Sequence, residues 1–396
     1  MNLTPCLPEL GQLIKREIHQ FFVDSPMRVL FLFGAAIAYL VLFGILYTPN
    51  IVKNIPLIIY DQDQTSFSRS LVRAYDSSDA FTIVGNVNSE EEMDVALQNK
   101  TAYAAVYIPA DFSKKVKTGD TSTPLFVVNG SNIILTNITS SAAQNITADF
   151  SNKIAAQQGA LRLGMDESRL AKRINPVTYE TRVLNNPTQG YMLFFLIGLA
   201  MAAFQQGIFF TLGSSVHYEL REWEERVASS EGDVALTDRR RGHLLFAAKL
   251  ITYWVMALLA FSVILLAAHF GWQLPLKAPL YQVYGLAGAF AFAFIGFSLF
   301  ISLLCQNELQ FIRLAVLYPV PAFIMSGYTW PQESMGQVLQ TVSYFFPIAW
   351  LSNAMRQLFT AGYAAHLPLN ILVLVAIGLG CCLLAGWRLH GVMKKI

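Results

Sequence analysis

The sequence predicts a polytopic α-helical membrane protein with about six transmembrane helices and cytoplasmic N and C termini, into which an α/β extracytoplasmic domain is inserted. Hydrophobic residues make up 54% of the 396 positions and charged residues only 14%, whereas a soluble domain carries about 25% charged residues. Long uncharged runs alternate with ordinary polar segments, which is typical of a membrane protein. The net charge of +2 and the lack of a basic stripe interleaved with aromatic residues exclude a nucleic-acid partner.

The chain begins with residues 1–28, in which apolar side chains recur at helical spacing. Leu10, Leu13 and Ile14 are examples. Charged residues separate them from the apolar residues that follow in the same segment. This pattern predicts an amphipathic helix at the membrane surface; the alternative is an ordinary solvated leader helix. Residues 29–49 form the first span, because the uncharged run Val29–Tyr47 has the length of a full span rather than of a signal-peptide core.

Residues 50–188 form the inserted domain, because their 13 basic and 14 acidic residues have the balance of a soluble protein. Apolar runs and helical spacing predict the order β-α-β-α-β-β-α, a small α/β domain. No cysteine lies in this segment, so the domain cannot hold a disulfide. Asp61 and Asp63 are predicted to serve a turn rather than acid–base chemistry. The predicted strands are Ile55–Tyr60, Phe81–Val87, Tyr103–Ile108 and Leu125–Asn129, and the predicted helices are Ser66–Tyr75, one that opens at Ser89, Asn132–Leu163 and a candidate at Glu167–Lys172.

Residues 189–396 contain spans two to six. The uncharged runs are Tyr191–Val216, Leu250–Ala268, Val283–Leu304, Leu314–Tyr328 and Leu369–Trp387. The run that forms span five is short and contains Pro319 and Pro321. Prolines are tolerated in a span where neighbouring helices cover the freed backbone groups, and a re-entrant segment is the alternative.

The stretch 327–362 is too polar to cross the membrane and too apolar for a free loop. It is rich in Trp, Tyr and Phe, and its only charges are Glu333 and Arg356. Aromatic side chains are enriched at membrane–water interfaces. We therefore predict short helices at the outer interface, which form a re-entrant hairpin before the last span.

Basic residues near the span ends set the orientation of a membrane protein. They are numerous before span one, between spans two and three, between spans four and five, and in the tail, and they are rare in the short alternate connections; residues 50–188 are too long to be counted in this rule. The first group comprises Lys15, Arg16, Arg28, Arg221, Arg226, Arg239, Arg240, Arg241, Lys249, Arg313, Arg388, Lys394 and Lys395, and the second comprises Lys277 and Arg356. Both termini are therefore predicted to be cytoplasmic and residues 50–188 to lie outside.

The spans are almost free of ionisable residues, which argues against ion-coupled transport. The 396 residues also lack the Gly-rich phosphate-binding loop that ends in Gly-Lys and Ser or Thr, so ATP hydrolysis would belong to a separate subunit. The cytoplasmic segment 217–242 suits such a partner, because Glu219, Glu222 and Arg226 fall on one helical face with Trp223 beside them. The alternative is a solvated helix with ion pairs along its surface.

The order of these parts resembles the membrane-spanning permease subunit of the ABC-2 class of ABC transporters, in the branch with a large extracytoplasmic domain between the first two spans. The resemblance covers essentially the whole chain. It depends on four segments: 13–29, similar to the amphipathic connecting helix; 58–75, the opening of the outer domain; 218–232, at the position of the coupling helix; and 326–362, the outer hairpin. One departure is that no Gly-Thr pair follows Glu222 in the coupling segment.

The resemblance implies a permease of an ATP-driven exporter in the cell inner membrane. It implies two permeases, either two copies or this chain and a paralogue, and two ABC ATPase subunits that carry the ATP and Mg; this chain would bind no cofactor or metal and would not be an enzyme. A periplasmic adaptor protein is a further candidate partner. The residues implied in ATPase coupling are Glu219, Arg221, Glu222, Trp223, Glu225 and Arg226, and those of the outer hairpin are Pro331, Glu333, Pro347 and Arg356.

Aromatic, methionine and amide side chains in spans two and five could form an adaptable lining for a drug-like, lipid-like or other amphipathic substrate. The candidate pathway residues are Gln205, Gln206, Phe209, Phe323 and Met325. The alternative for each is contact with lipid or with a neighbouring helix.

The sequence argues against two other classes of function. A membrane-anchored receptor or scaffold that acts through its extracytoplasmic domain needs only one or two spans, so the number of spans argues against it. A membrane enzyme needs clustered ionisable residues at one leaflet, and the sequence shows no such cluster.

Overall fold

The structure is a computed structural model that describes residues 6–48, 52–163, 183–186, 190–229 and 235–393. The chain divides into two compact units. One unit is the segment Ile51–Arg182, and the other joins Met1–Asn50 to Val183–Ile396. The division lies within a few residues of the boundaries expected for the insertion. The candidate helix at Glu167–Lys172 lies outside the described residues.

The inserted domain is built on a four-stranded sheet of mixed direction. Its strands are β1 (Ile55–Asp61), β2 (Phe81–Asn86), β3 (Ala104–Ile108) and β4 (Leu125–Val128), in the order β2-β1-β3-β4. β1 lies parallel to both β2 and β3, whereas β4 is antiparallel to β3. The helices of the domain are Ser66–Asp76, Glu90–Gln98, Phe112–Thr118 and Ile133–Leu163.

Helices cover both faces of this sheet, because side chains along a strand alternate between its two faces. Leu57 and Ile59 of β1 pack with Leu71 of the first helix and Ala143 of the long helix. Ile58, between them, packs on the opposite face against Met93 and Leu97. The buried central strand therefore consists of a nearly continuous apolar run, as the sequence predicts.

One helix of the domain, Phe112–Thr118, was not predicted. It has only seven residues, three of them lysines, so it lacks the length that makes helical periodicity visible. Asp63 holds its start, since Oδ1 of Asp63 accepts hydrogen bonds from the backbone N–H of Ser113 at 3.3 Å and from its hydroxyl at 3.0 Å. Asp61 accepts from the backbone N–H of Asp63 and of Gln64, both at 3.0 Å. The predicted turn role of both carboxylates is confirmed.

Six helices in the described part of the chain are long and apolar enough to cross a membrane. Spans one to six are Pro26–Leu46, Tyr191–Glu225, Gly242–Gly271, Leu280–Leu304, Glu308–Met325 and Leu367–Val392. Each predicted span coincides with one of them. Span two belongs to a single helix, Tyr191–Ser229, of 39 residues. At 1.5 Å per residue this helix is roughly 58 Å long, about twice the thickness of the hydrocarbon core.

Other elements complete the membrane unit. The N-terminal helix, Cys6–His19, is followed by a π-helical turn, Gln20–Asp24. The other elements are Pro26–Val29, Leu30–Gly34 (π-helical) and Ala35–Leu46 in span one; Ala235–Leu266 and Ala267–Gly271 (π-helical) in span three; Glu308–Leu317 and Pro319–Met325 in span five; Gln332–Ser334 (3₁₀), Gln337–Ser343 and Pro347–Thr360 between spans five and six; and Leu367–Met393 in span six.

The stretch 327–362 contains the expected short helices, but the longest of them is not a surface helix. Pro347–Thr360 packs against spans two, four and six. Its Ile348, Leu351, Met355 and Leu358 are completely buried, because the apolar residues recur at helical spacing on one face. The helix therefore lies among the spans.

Small residues bring spans into close contact, as is usual in membrane helix packing. A Cβ atom on Gly207 of span two would lie 2.7 Å from the backbone carbonyl oxygen of Phe31 in span one. A Cβ atom on Gly296 of span four would lie 2.9 Å from the carbonyl oxygen of Gly378 in span six. At both crossings the absence of a side chain lets the two backbones approach.

Candidate functional site: a buried ion-pair cluster

A buried ion pair joins the N-terminal helix to span three. Nζ of Lys249 lies 2.7 Å from Oε1 of Glu17 and donates a second hydrogen bond, of 2.8 Å, to the hydroxyl of Ser215 in span two. The side chains of Lys249 and Glu17 are only 4% and 0% exposed. Three helices therefore meet at one ammonium group, and the N-terminal helix is far in the sequence from the other two.

A second set of ion pairs extends this contact along the helix of span two. Arg16 lies 2.6 Å from Glu222 and 3.3 Å from Glu219. The hydroxyl of Tyr218 donates to Glu222 at 2.9 Å. Nζ of Lys249 lies 3.8 Å from Glu219, so that Glu219 links the two sets. We call Arg16, Glu17, Glu219, Glu222 and Lys249 the ion-pair cluster, and the end of the membrane unit that holds it the charged end.

The cluster makes a specific junction, because a buried charge is tolerated only beside its counter-charge. Removal of one partner from such a pair typically costs about 3–5 kcal/mol, since the other charge is left buried alone. A displacement of span two relative to the N-terminal helix would break these pairs. These pairs thus tie the N-terminal helix, the charged end of span two and the start of span three to one another.

The six predicted coupling residues divide into two sets. Glu219 and Glu222 form ion pairs with Arg16 of the same chain. Trp223 is half-buried and packs against the hydrophobic core. Arg221 and Glu225 are exposed, and Arg221 lies 3.2 Å from Glu308 at the start of span five. The side chain of Arg226 lies outside the described residues. Contact of these residues with an ATPase stays a prediction.

From the sequence alone, Arg16 and Lys249 were used only to orient the spans, and Glu17 was given no role. One signal was present, since Glu17 follows Leu10, Leu13 and Ile14 at helical spacing and so occupies the apolar face of its helix. A carboxylate on such a face requires a buried cation. The identity of the cation depends on a contact across 232 residues, which no local pattern specifies.

The predicted pathway residues lie at different depths. Gln205 is completely buried, and neither atom of its amide has a hydrogen-bond partner in the described part of the chain. Phe209 is buried too and packs edge-to-face against Phe294 and Phe311. Gln206 and Met325 are half-buried, and Phe323 is buried. Their part in a substrate pathway stays a prediction, and for Phe209 the structure shows a packing role.

At the opposite end of span two, which we call the hairpin end, Arg356 lies between two aromatic rings. Its Cζ is 4.7 Å from the ring centre of Phe194 and 4.6 Å from that of Tyr328. The hydroxyl of Tyr328 accepts from the N–H of Gly198 at 3.1 Å and donates to the carbonyl of Phe194. These two backbone groups pair with each other in an undisturbed helix, so Tyr328 inserts into the hydrogen-bond ladder of span two.

Three further hairpin residues were predicted. Pro347 is buried at the first position of its helix, where proline costs no hydrogen bond. Pro331 and Glu333 are exposed. Of the four hairpin residues, Arg356 makes a cation–π contact with a ring of span two.

We expect Arg356→Gln to lower the free energy of unfolding by about 2 kcal/mol, because a desolvated cation–π interaction is worth that much. Arg356→Lys should retain part of the stability, since the ammonium keeps the charge but loses the flat stacking surface. Thermal unfolding of the two purified variants in detergent measures the difference. Equal stability of the parent and Arg356→Gln would show that the rings do not hold the guanidinium.

Within the described ranges, no group of three or more His, Cys, Asp or Glu side chains is placed to hold a metal ion. Cys305, Cys381 and Cys382 are free thiols.

The fold and this site define the class: a polytopic α-helical membrane protein with an α/β domain inserted after its first span. Residues 27–387 match the family model of the ABC-2 family transporter proteins, and the chain belongs to that family. The resemblance inferred from the sequence is confirmed.

Individual relatives are distant in sequence. The probable multidrug ABC transporter permease YbhR of Escherichia coli strain K12 is 24% identical over 353 residues, which are 88% of this chain and 89% of that protein. The probable multidrug ABC transporter permease YbhS of the same strain is 27% identical over 158 residues, 39% of this chain and 41% of that protein. ABC transporter G family member 20 of Dictyostelium discoideum is 24% identical over 212 residues, 52% of this chain and 28% of that protein.

Proposed function

We propose that this chain is the membrane-spanning permease subunit of an ATP-driven exporter, which moves a drug-like, lipid-like or other amphipathic substrate out across the cell inner membrane. The similarity to two probable multidrug permeases supports the substrate class. The family match over residues 27–387 extends from span one into span six, which favours transport over a receptor or scaffold that acts through the inserted domain alone.

The orientation of the chain in the membrane follows from the basic residues at the charged end. Basic residues cluster there on the N-terminal helix and on the connection between spans two and three, so this end faces the cytoplasm. The inserted domain and the hairpin end then face outward, where an adaptor protein could dock. In this arrangement ABC ATPase subunits, with their ATP and Mg, meet the charged end. The family resemblance supports a second permease, a copy or a paralogue.

The observation that carries the proposal is the ion-pair cluster. The helix of span two extends from Tyr191 to Ser229 and presents Arg221, Glu224 and Glu225 to solvent. A force applied to this extension acts directly on span two, and through Glu219 and Glu222 on the N-terminal helix. ATPase closure would thereby move spans one, two and three as one body. The ATPase hydrolyses the ATP, and the extension of span two transmits the resulting movement to the spans.

The proposal predicts that charge reversal on the exposed extension releases the ATPase. The full chain is purified in mild detergent from membranes of its native host, and co-purifying Mg-dependent ATP hydrolysis is measured. We expect Glu224→Lys/Glu225→Lys to lose most of this activity, because a salt-bridging surface is turned into a repulsive one. The matched control, Glu91→Lys/Asp94→Lys, reverses two exposed acids in the inserted domain and should retain it. If no ATPase activity co-purifies with the parent, or if both double variants retain it equally, the assignment of the ATPase contact to Glu224 and Glu225 is wrong.

A further inference from the structure

A cavity of about 420 Å³ opens at the charged end beside the start of span one. Its volume falls in the range of about 300–1,000 Å³ that is common for small-molecule sites. Spans one, two and five line it together with the turn that precedes span one. The polar lining residues are Asp24, Arg28, Ser214 and Glu308, and the apolar ones include Phe31 and Ile312.

Arg28 is the cation of this cavity. It is 4% exposed and stands in the first turn of span one, with Cζ 5.6 Å from the ring centre of Tyr218. Its Nε has no hydrogen-bond partner in the described ranges. A buried guanidinium with an unused N–H is costly unless an anion pairs with it. Arg28 therefore offers a site for an anionic group such as a phosphate.

Two carboxylates, those of Asp24 and Glu308, also line the cavity. Glu308 opens span five and already lies 3.2 Å from Arg221, and Asp24 lies 3.6 Å from His19. The side chains of Asp24 and Glu308 are 47% and 31% exposed, so both can accept further hydrogen bonds. The cavity thus presents one cation and two acceptors, which suits a ligand with a phosphate and an ammonium group and disfavours a purely anionic one.

The apolar lining indicates the rest of the ligand. Met27, Phe31 and Ile312 border the cavity and are 63%, 42% and 38% exposed. Exposed apolar side chains on a transmembrane helix are suited to contact with acyl chains, and Phe31 stacks on Phe210 with ring centres 5.3 Å apart. A ligand whose polar group fills the cavity would continue along this apolar surface. A diacyl phospholipid has that shape, with its head at the level of the first turn of the span.

We infer that the cavity binds one phospholipid with a primary-amine headgroup, phosphatidylethanolamine in chemical class. Arg28 pairs with its phosphate, Asp24 and Glu308 accept from its ammonium, and its acyl chains lie against Met27, Phe31 and Ile312. This lipid is a resident ligand of the fold rather than the transported substrate. The inference does not depend on the ATPase, so its failure would leave the proposed function in place.

The test is native mass spectrometry of the delipidated full chain, titrated with dioleoyl phosphatidylethanolamine, phosphatidylcholine or phosphatidylglycerol. We expect one phosphatidylethanolamine to bind about tenfold more tightly than either other lipid, since that ratio is the worth of one charge-assisted hydrogen bond. Arg28→Gln should weaken this binding by about the same factor. The matched control is Arg313→Gln, an exposed arginine of span five that does not line the cavity, and it should bind like the parent.

Two further variants keep the test sharp if Arg28→Gln does not fold. Ser214→Phe fills the cavity and leaves Arg28 in place, and it should lose the preference for phosphatidylethanolamine. Asp24→Asn/Glu308→Gln should raise the affinity for phosphatidylglycerol above that of the parent, a gain that misfolding cannot produce. Equal binding of the three lipids by the parent would overturn the inference. So would binding of the soluble headgroup, glycerophosphoethanolamine, as tight as that of the whole lipid, because the acyl chains would then play no part.

Discussion

Lys249→Met is expected to lower the free energy of unfolding by about 3–5 kcal/mol, because it leaves the carboxylate of Glu17 buried without a counter-charge. Glu17 is completely buried, and its second oxygen, Oε2, has no hydrogen-bond partner among the described residues. Within the described part of the chain, Oε2 therefore makes no hydrogen bond that would remain after Lys249 is replaced. Equilibrium unfolding in mixed micelles of a mild detergent and sodium dodecyl sulfate measures the loss.

The double variant Glu17→Gln/Lys249→Met distinguishes two causes of the instability: loss of the ion pair itself, and burial of the Glu17 carboxylate without a counter-charge. Replacement of both members of a buried pair by neutral groups is often nearly neutral, so the double variant should recover most of the stability. Arg313→Met, which removes an exposed cation in span five, should cost little. A double variant as unstable as Lys249→Met would mean that the contribution of Lys249 is packing rather than charge compensation.

Gly207→Val is expected to cost about 3 kcal/mol, the upper end of the usual range for an overpacked core. The added Cβ would lie 2.7 Å from the carbonyl oxygen of Phe31 and 3.2 Å from Cα of Leu32. Both neighbours are backbone atoms, so no side chain can rotate away, and spans one and two must separate. Separation would also strain the ion-pair cluster, since span one follows the N-terminal helix directly.

Gly380→Val is the control for that substitution. Gly380 is exposed in span six, and nothing lies within 4 Å of the position of its Cβ. The control carries the same change in helix propensity without the clash, so it should unfold within about 1 kcal/mol of the parent. Equal losses in the two variants would show that the close approach of spans one and two does not limit stability.

The architecture was largely predictable because its signals are local. A run such as Tyr191–Val216 needs only its own residues to predict a span, and the strands of the inserted domain are short apolar runs closed by turn residues. The errors in boundaries have physical causes. Span five begins at Glu308 rather than Leu314, because Asn307 caps the helix by accepting from the N–H of Gln310 at 2.9 Å, and charged residues in its first two turns hide that start from hydropathy.

The functional geometry was less predictable because it depends on distant contacts. The charged face of segment 217–242 suggested a partner surface, yet Glu219 and Glu222 are engaged by Arg16, some 200 positions earlier. The solvated helix with ion pairs, weighed as the alternative, accounts for part of this segment. For Gln205 the sequence shows a polar residue within a span. It does not show whether that side chain faces a pathway. The structure of one chain buries it completely.

The most direct test of the account is ATP-dependent uptake of an amphipathic fluorescent dye by inverted membrane vesicles that contain this chain and its co-expressed ATPase. We expect uptake to require ATP, to persist when a protonophore collapses the proton gradient, and to be lost in Glu224→Lys/Glu225→Lys while Glu91→Lys/Asp94→Lys retains it. Uptake that follows the proton gradient, or that is unchanged by reversal of Glu224 and Glu225, would contradict an ATPase acting on the extension of span two.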